Sequence, residues 1–179
     1  MAVTIFVWDM FKYQPGEGIG VGHASMFVHG EKGTIYISFW PSAHTLKAGW
    51  SSPGVVHFMN GDKKADGQPS WASKTISTLD EGAIIAWWSK IQSNPLIDYV
   101  NKKPIQVSGA AHASPGAMYS ILLNQCAITV VRALMVGADK DTRVKIMKWL
   151  QANMGSTPLL IHVPTVTPQD VRELVEAVF

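Results

Sequence analysis

The sequence HASMFV at residues 23–28 decides how the N-terminal half of the chain is interpreted. It lies between a glycine-rich stretch and a turn-forming group at residues 29–33, which is typical of a β-strand. The run VTIFVW at residues 3–8 predicts a strand before it, and TIYISFW at residues 34–40, ended by Pro41, predicts one after it. Together the three runs predict an antiparallel hairpin with the first strand beside it.

The rest of the chain is predicted to be mainly helical. An acidic pair at residues 80–81 favours a helix start, and Pro95 ends that helix. Further predicted elements are a helix at 143–153, a strand at 157–163 and a final helix from the Thr167 cap to residue 178. Residues 97–107 fit neither type clearly, and residues 111–116 are predicted to be a turn-rich linker.

Residues 41–79 are rich in Ser, Gly, Pro and Asp, and they predict a long, irregular excursion. Loops of that length inside a domain commonly cover or shape a site. A chain of 179 residues otherwise fits one single domain over residues 1–179. The predicted fold class is α+β, with a small antiparallel sheet packed against the helix that carries the cysteine.

Composition excludes several classes of protein. Hydrophobic residues make up 47% of the chain and charged residues 16%, which excludes an intrinsically disordered chain. The net charge of +2 and the isolated lysine doublets at 63–64 and 102–103 do not predict a nucleic-acid partner. The apolar segment 117–138 contains Arg132, so a core helix is favoured over integral membrane insertion.

The single cysteine, Cys126, excludes an internal disulfide framework and a zinc site built on several thiolates. The histidines are scattered without metal-ligand spacing, so neither a metal nor another cofactor is expected. Asn124 is a good helix N-cap, which predicts Cys126 in the first turn of a helix. Backbone N–H groups there favour a thiolate and can hold an oxyanion. The alternative is a buried, inert thiol.

His23 is the candidate base for that thiol. It lies at the start of the strand 23–28, directly after Gly22, where its ring can face a helix N-terminus packed across the sheet. An imidazole in that position can act as a general base towards a thiol. The alternative interpretation is a histidine whose role is packing.

These motifs resemble a known superfamily. The order Gly-His-Ala-Ser on one strand, YISFWP at residues 36–41 on the next, and Asn-Gln-Cys at the start of an apolar helix resembles the circularly permuted NlpC/P60 papain-like cysteine hydrolases. The motifs are most similar to bacterial effectors of this superfamily, including those delivered by type VI secretion. The resemblance covers about residues 3–40 and 117–136, and it implies a permuted papain-like arrangement.

The resemblance also implies a polar third residue that orients the histidine, usually on the following strand. Ser38 is the expected residue, because it lies among apolar neighbours on the face that Tyr36 and Trp40 share by strand alternation. Tyr36 and His44 are the alternatives. The catalytic set is therefore Cys126, His23 and Ser38, with the main-chain N–H of Cys126, helped by the Gln125 side chain, forming the oxyanion hole.

The resemblance implies a cysteine peptidase or amidase that cleaves peptidoglycan stem-peptide amide bonds. It also implies a cognate immunity protein as a partner. The N-terminus lacks the basic, apolar pattern of a secretory signal peptide. The protein is therefore expected to be an effector that reaches a periplasm or host cell without a Sec signal. If it is not such an effector, a cytoplasmic location is expected. The alternatives are an acyltransferase, a deamidase or a lipid-acyl hydrolase acting on a host or competitor target, or a non-catalytic immunity or adaptor module.

Three tryptophans have two possible roles, in the substrate groove or in the core. Trp40, Trp50 and Trp71 can form an aromatic wall along a substrate groove, although packing in the core is the simpler interpretation.

Overall fold

Strand pairing between the first two predicted strands organises the fold. A computed structural model describes residues 2–9, 22–31, 33–41, 51–56, 59–91, 118–120, 126–154 and 166–179. In these ranges the protein is α+β. The strands are β1 (Ala2–Trp8), β2 (His23–Gly30), β3 (Gly33–Ile37), β4 (Phe39–Pro41), β5 (Ser51–Val56), β6 (Trp71–Ala72) and β7 (Met118–Ser120). The helices are α1 (Met59–Asp66), α2 (Glu81–Ile91), α3 (Cys126–Gly137), α4 (Lys140–Met154) and α5 (Pro168–Val178).

The first sheet has four antiparallel strands in the order β3-β2-β1-β6. This order confirms the predicted hairpin with the first strand beside it. Helices α2, α3 and α5 pack against the sheet. Strand alternation gives the sheet one fully apolar face, formed by Val3, Ile5, Val7, Ala24, Met26, Val28 and Ile37. His23 and Ser25 alternate onto the other face, with His23 directly opposite Trp8 in the β1–β2 register.

The predicted strand at residues 34–40 is not a single strand. It divides at Ser38 into β3, which pairs with β2, and β4, which pairs with β5 in a second sheet of order β4-β5-β7. The division has a tertiary cause, because Ser38 turns its hydroxyl into a buried polar cluster instead of continuing the ladder. Hydrophobic alternation along the chain cannot reveal that the two halves pair with different partners.

The prediction that residues 41–79 are irregular is also wrong for the part that the structure describes. This segment contains β5, α1 and β6, and Ile76 forms an isolated bridge with Val3. These elements are short and rich in turn-forming residues. Tertiary pairing overrides a weak local propensity here: β6 and Ile76 pair with β1, and β5 pairs with β4 and β7.

The helix predictions are confirmed where the structure describes them, except that residues 118–120 of the predicted core helix 117–138 form strand β7. Asp80 caps α2 by accepting a hydrogen bond from the Ala83 N–H at 2.8 Å. Thr167 and Asp170 form a reciprocal capping box at the start of α5. The apolar segment 117–138 contains β7 and α3, and no helix of the described ranges is both long and apolar enough to cross a membrane. The predictions for residues 97–107, 111–116 and 157–163 lie outside the described residues.

Gly137 sets how closely α3 approaches the start of α2. Its carbonyl oxygen accepts a hydrogen bond from the Asp80 N–H at 2.7 Å. A Cβ atom at this position would lie 2.6 Å from Cδ1 and 2.8 Å from Cγ1 of Ile84, whose side chain is fully buried. The junction between the helix that carries Cys126 and its neighbour therefore requires the absence of a side chain.

We expect Gly137→Ala to destabilise the protein by about 1–3 kcal/mol, because the added methyl group overpacks the core against Ile84. Gly82→Ala is the matched control, since Gly82 is exposed on α2 and a Cβ there meets only the Asp80 carboxylate at 3.3 Å. Its effect should stay within about 0.5 kcal/mol. Urea unfolding of both variants measures the difference, and equal stabilities would contradict this account of the junction.

Candidate functional site

Cys126 is the first residue of α3, which confirms its predicted position in the first turn of a helix. Its side chain is 3% exposed. The N–H groups of a first helical turn have no partner within the helix, and they favour negative charge at this end. Asn124 and Gln125, predicted as the cap and as an oxyanion helper, lie outside the described residues, as does His44.

His23 is the first residue of β2 and is 2% exposed. Gly22 before it has a φ of 70°, a left-handed conformation that glycine adopts readily, and this turn brings the chain into the strand at His23. Nε2 of His23 lies 3.0 Å from Oγ of Ser38 and 3.2 Å from Oδ2 of Asp62. Cys126 also acts on the His23 ring, since its negative charge is one of the causes that raise the pKa of His23. The structure therefore brings His23 and Ser38 within hydrogen-bond distance and places Cys126 near enough to affect the His23 ring electrostatically.

Asp62 is the site residue that sequence reasoning missed. It lies in α1 and is fully buried. Oδ1 accepts hydrogen bonds from Oγ of Ser38 at 3.0 Å and from Nε1 of Trp40 at 2.8 Å. Oδ2 accepts one from the Tyr36 hydroxyl at 2.5 Å and faces Nε2 of His23. Its carboxylate is thus the centre on which the polar side chains of the site converge.

The one sequence signal for such a centre was the alternation of Tyr36, Ser38 and Trp40 onto one face. The structure shows that these side chains share that face and that all three donate to Asp62. Tyr36, an alternative for the third residue, bonds to Asp62 and to Oγ of Ser25 at 2.6 Å. Because its single proton goes to Asp62, the Ser25 hydroxyl donates to it.

Two tryptophans flank the imidazole ring. The ring centroid of His23 lies 5.4 Å from that of Trp8 and 4.5 Å from that of Trp40. Aromatic faces attract a cationic ring at this range. The aromatic wall of Trp40, Trp50 and Trp71 stays a prediction; Cζ of Arg172 lies 5.9 Å from the ring centroid of Trp71. Trp50 lies outside the described residues.

Electrostatics favour the charged form of His23. Burial alone lowers the pKa of His23, but the negative charge of Cys126, the hydrogen bond that the ring donates to Asp62, and the charge of Asp62 together raise this pKa to about 10. Burial and the neighbouring carboxylate raise the pKa of Tyr36 far above its ordinary value, so the phenol keeps its proton and remains a donor. The site therefore holds an imidazolium between two acidic groups.

The described residues contain no group of three or more acidic, histidine or cysteine side chains placed to hold a metal ion. Comparison with family models, with curated proteins and with solved structures finds no match to this chain. The chemistry of the site therefore has to be argued from its own geometry.

We expect His23 to stay protonated well above neutral pH. An unperturbed histidine titrates near pH 6.5, and burial without partners would move the midpoint lower. A heteronuclear NMR titration should instead place the His23 midpoint near 10. Replacing Cys126 by alanine should lower it, because one of the negative groups is removed. A midpoint below 6.5 in the native protein would contradict the charge assignment.

Proposed function

We propose that this protein is a thiol-dependent amide hydrolase, with Cys126 as the nucleophile, His23 as the general acid and base, and Ser38 as a group that orients the imidazole. The observation that carries the proposal is the position of the His23 ring. Its Nε2 is held by Ser38 and Asp62, and the negative charge of Cys126, at the start of a helix, acts on the same ring. A nucleophile, a base and an orienting group within hydrogen-bond reach are what covalent catalysis requires.

The chemistry starts from a thiolate–imidazolium pair. The sulfur attacks the carbonyl carbon, and the oxyanion is bound by the main-chain N–H of Cys126 at the helix N-terminus. The imidazolium gives its proton to the leaving amine as the C–N bond breaks, which leaves a thioester and a neutral His23. Water then attacks the thioester while His23 accepts its proton, and release of the acid restores the thiolate–imidazolium pair.

The charges of the site support this sequence of proton transfers. The charge of Cys126 is the largest of the effects that raise the pKa of His23. Acylation of the sulfur removes that charge, so the pKa of His23 falls just when the leaving amine needs a proton. The same group then has a pKa closer to neutral and can accept a proton from water.

The fold is consistent with a permuted papain-like arrangement, since a strand that carries His23 precedes a helix that begins with Cys126 and packs against it. With the sequence resemblance, this favours peptidoglycan stem-peptide amide bonds as the substrate. We propose a secreted bacterial effector that is neutralised by a cognate immunity protein. Acyltransferases, deamidases and lipid-acyl hydrolases form the same kind of acyl-enzyme and differ in the acyl donor or acceptor.

A non-catalytic binding module is the second candidate. The observation in its favour is that Cys126 is only 3% exposed, as an inert packing thiol would be. The polar cluster argues against a binding module. Burying an imidazole and a carboxylate together costs free energy, and packing alone does not explain that burial. Reactivity of the thiol in the folded protein distinguishes the two candidates.

We expect iodoacetamide to alkylate Cys126 rapidly in the native protein near neutral pH, because a neighbouring imidazolium stabilises the reactive thiolate. His23→Gln should reduce the rate at pH 6 by about tenfold or more, because a neutral amide cannot stabilise the thiolate. His29→Ala is the matched control, since His29 lies exposed on the same strand.

Release of new amino groups from synthetic stem peptides, measured with native protein and with Cys126→Ala, then tests the substrate class. A reactive thiol without amine release would reject the stem-peptide assignment and keep the thiol chemistry. A thiol that reacts only after denaturation would reject the enzyme and leave the binding module.

A further inference from the structure

Helix α1 is held in place in an unusual way. Its sequence, MNGDKKAD, is strongly polar, and Asp62 is the one residue of α1 that is fully buried among those whose side chains the structure describes. Surface helices normally bury an apolar stripe against the core. Here a carboxylate occupies the buried position instead, so contacts of Asp62 fix α1 against β3, β4 and the start of β2.

The donors around Asp62 require an ionised carboxylate. Trp40 can only donate, and Tyr36 and Ser38 both direct their protons at the carboxylate oxygens. An ionised carboxylate accepts all of these bonds together with one from Nε2–H of His23. A buried charge of this kind is stable only with an opposite charge beside it, and the imidazolium of His23 is that charge.

We propose that Asp62 is a positioning residue for the acid–base step: its carboxylate fixes the His23 ring at Nε2 and keeps the ring able to accept a proton once Cys126 has been acylated. The role rests on the proposed function, and it differs from that of Ser38. A neutral hydroxyl can hold the ring by accepting from Nε2–H, but it supplies no charge.

The groups that face His23 explain why a charge is needed. From the described elements these are Asp62 on α1 and Cys126 on α3, while Tyr36 faces Asp62. Burial is the largest effect on the pKa of His23, and it lowers this pKa. In the acyl-enzyme the Cys126 charge is gone, so Asp62 is the remaining charge that opposes burial. Without it the imidazole would be too weak a base to activate water.

Ser38 and Asp62 act on the same nitrogen but are separable. The Ser38 hydroxyl donates to Oδ1 of Asp62, which leaves its lone pairs for Nε2–H of His23 and for Nε1–H of Trp40. Ser38 therefore transmits the orientation of the carboxylate to the ring. Removing the Ser38 hydroxyl leaves the Asp62 carboxylate 3.2 Å from Nε2 of His23. Removing the charge of Asp62 leaves Nε2 with neutral partners among the described residues.

The decisive experiment is an NMR titration of His23 in the Cys126→Ala protein, which mimics the loss of charge on acylation. Adding Asp62→Asn should lower the His23 midpoint by about 1–3 pH units, because the carboxylate charge is removed while the side-chain shape is kept. Asp66→Asn is the matched control, since Asp66 is exposed at the end of the same helix, and Ser38→Ala should change the midpoint less than Asp62→Asn does.

An unchanged midpoint in the Asp62→Asn protein, or a larger change in the Ser38→Ala protein, would overturn the proposal. This readout needs no reactive thiol, so it is independent of the alkylation experiment. If Cys126 does not react with iodoacetamide but the His23 midpoint depends on Asp62, the proposed function is rejected and the effect of the Asp62 charge on His23 is retained. If Cys126 reacts but the His23 midpoint does not depend on Asp62, the proposed function is retained and the role of Asp62 is rejected.

Should Asp62→Asn fail to fold, a measurement on the unmodified protein takes its place. The Nε2–H proton of His23 should be protected from exchange with water and show nuclear Overhauser contacts to Nε1–H of Trp40, since both donate into the same cluster. The exposed ring of His29 serves as the internal reference. Exchange as fast as that of His29 would overturn the proposal.

Discussion

The physical constraint on which the site depends is the burial of a carboxylate. Asp62 is fully buried, and a charge in that position needs donors and an opposite charge within reach. The structure supplies them from separate elements: Tyr36 from β3, Ser38 from the break after it, Trp40 from β4 and His23 from β2. Satisfying one buried side chain therefore fixes the relative positions of α1, both sheets and the imidazole.

The apolar core performs the complementary task of placing the helix that carries Cys126. The apolar face of the first sheet supports α2, α3 and α5, and α3 contacts both β2 and β4. The close approach at Gly137 sets the junction between α3 and α2. Hydrophobic packing thus positions the helix that carries the thiol, and the polar cluster at Nε2 orients the imidazole and, with Cys126, favours its charged form.

Most regular elements of the described residues could be predicted from local patterns. The strands at β1 and β2, the helix caps at Asp80 and Thr167, and Cys126 at a helix start follow from periodicity and capping chemistry, which operate over a few residues. The division at Ser38 and the elements inside residues 41–79 could not be predicted in this way. Their hydrogen-bond partners lie on distant strands, and local propensity is weak there.

The same distinction applies to the site. The sequence by itself singled out Cys126 by its place after a helix N-cap, His23 by its place at the start of an apolar strand, and Ser38 as the third residue that the family resemblance implies. Only the tertiary structure decided that Asp62 joins them. An aspartate in a polar, glycine-containing segment is indistinguishable from a solvated one until folding buries it, 39 positions from His23 along the chain. Its role depends on which donors surround it, and that is set by the packing of distant elements.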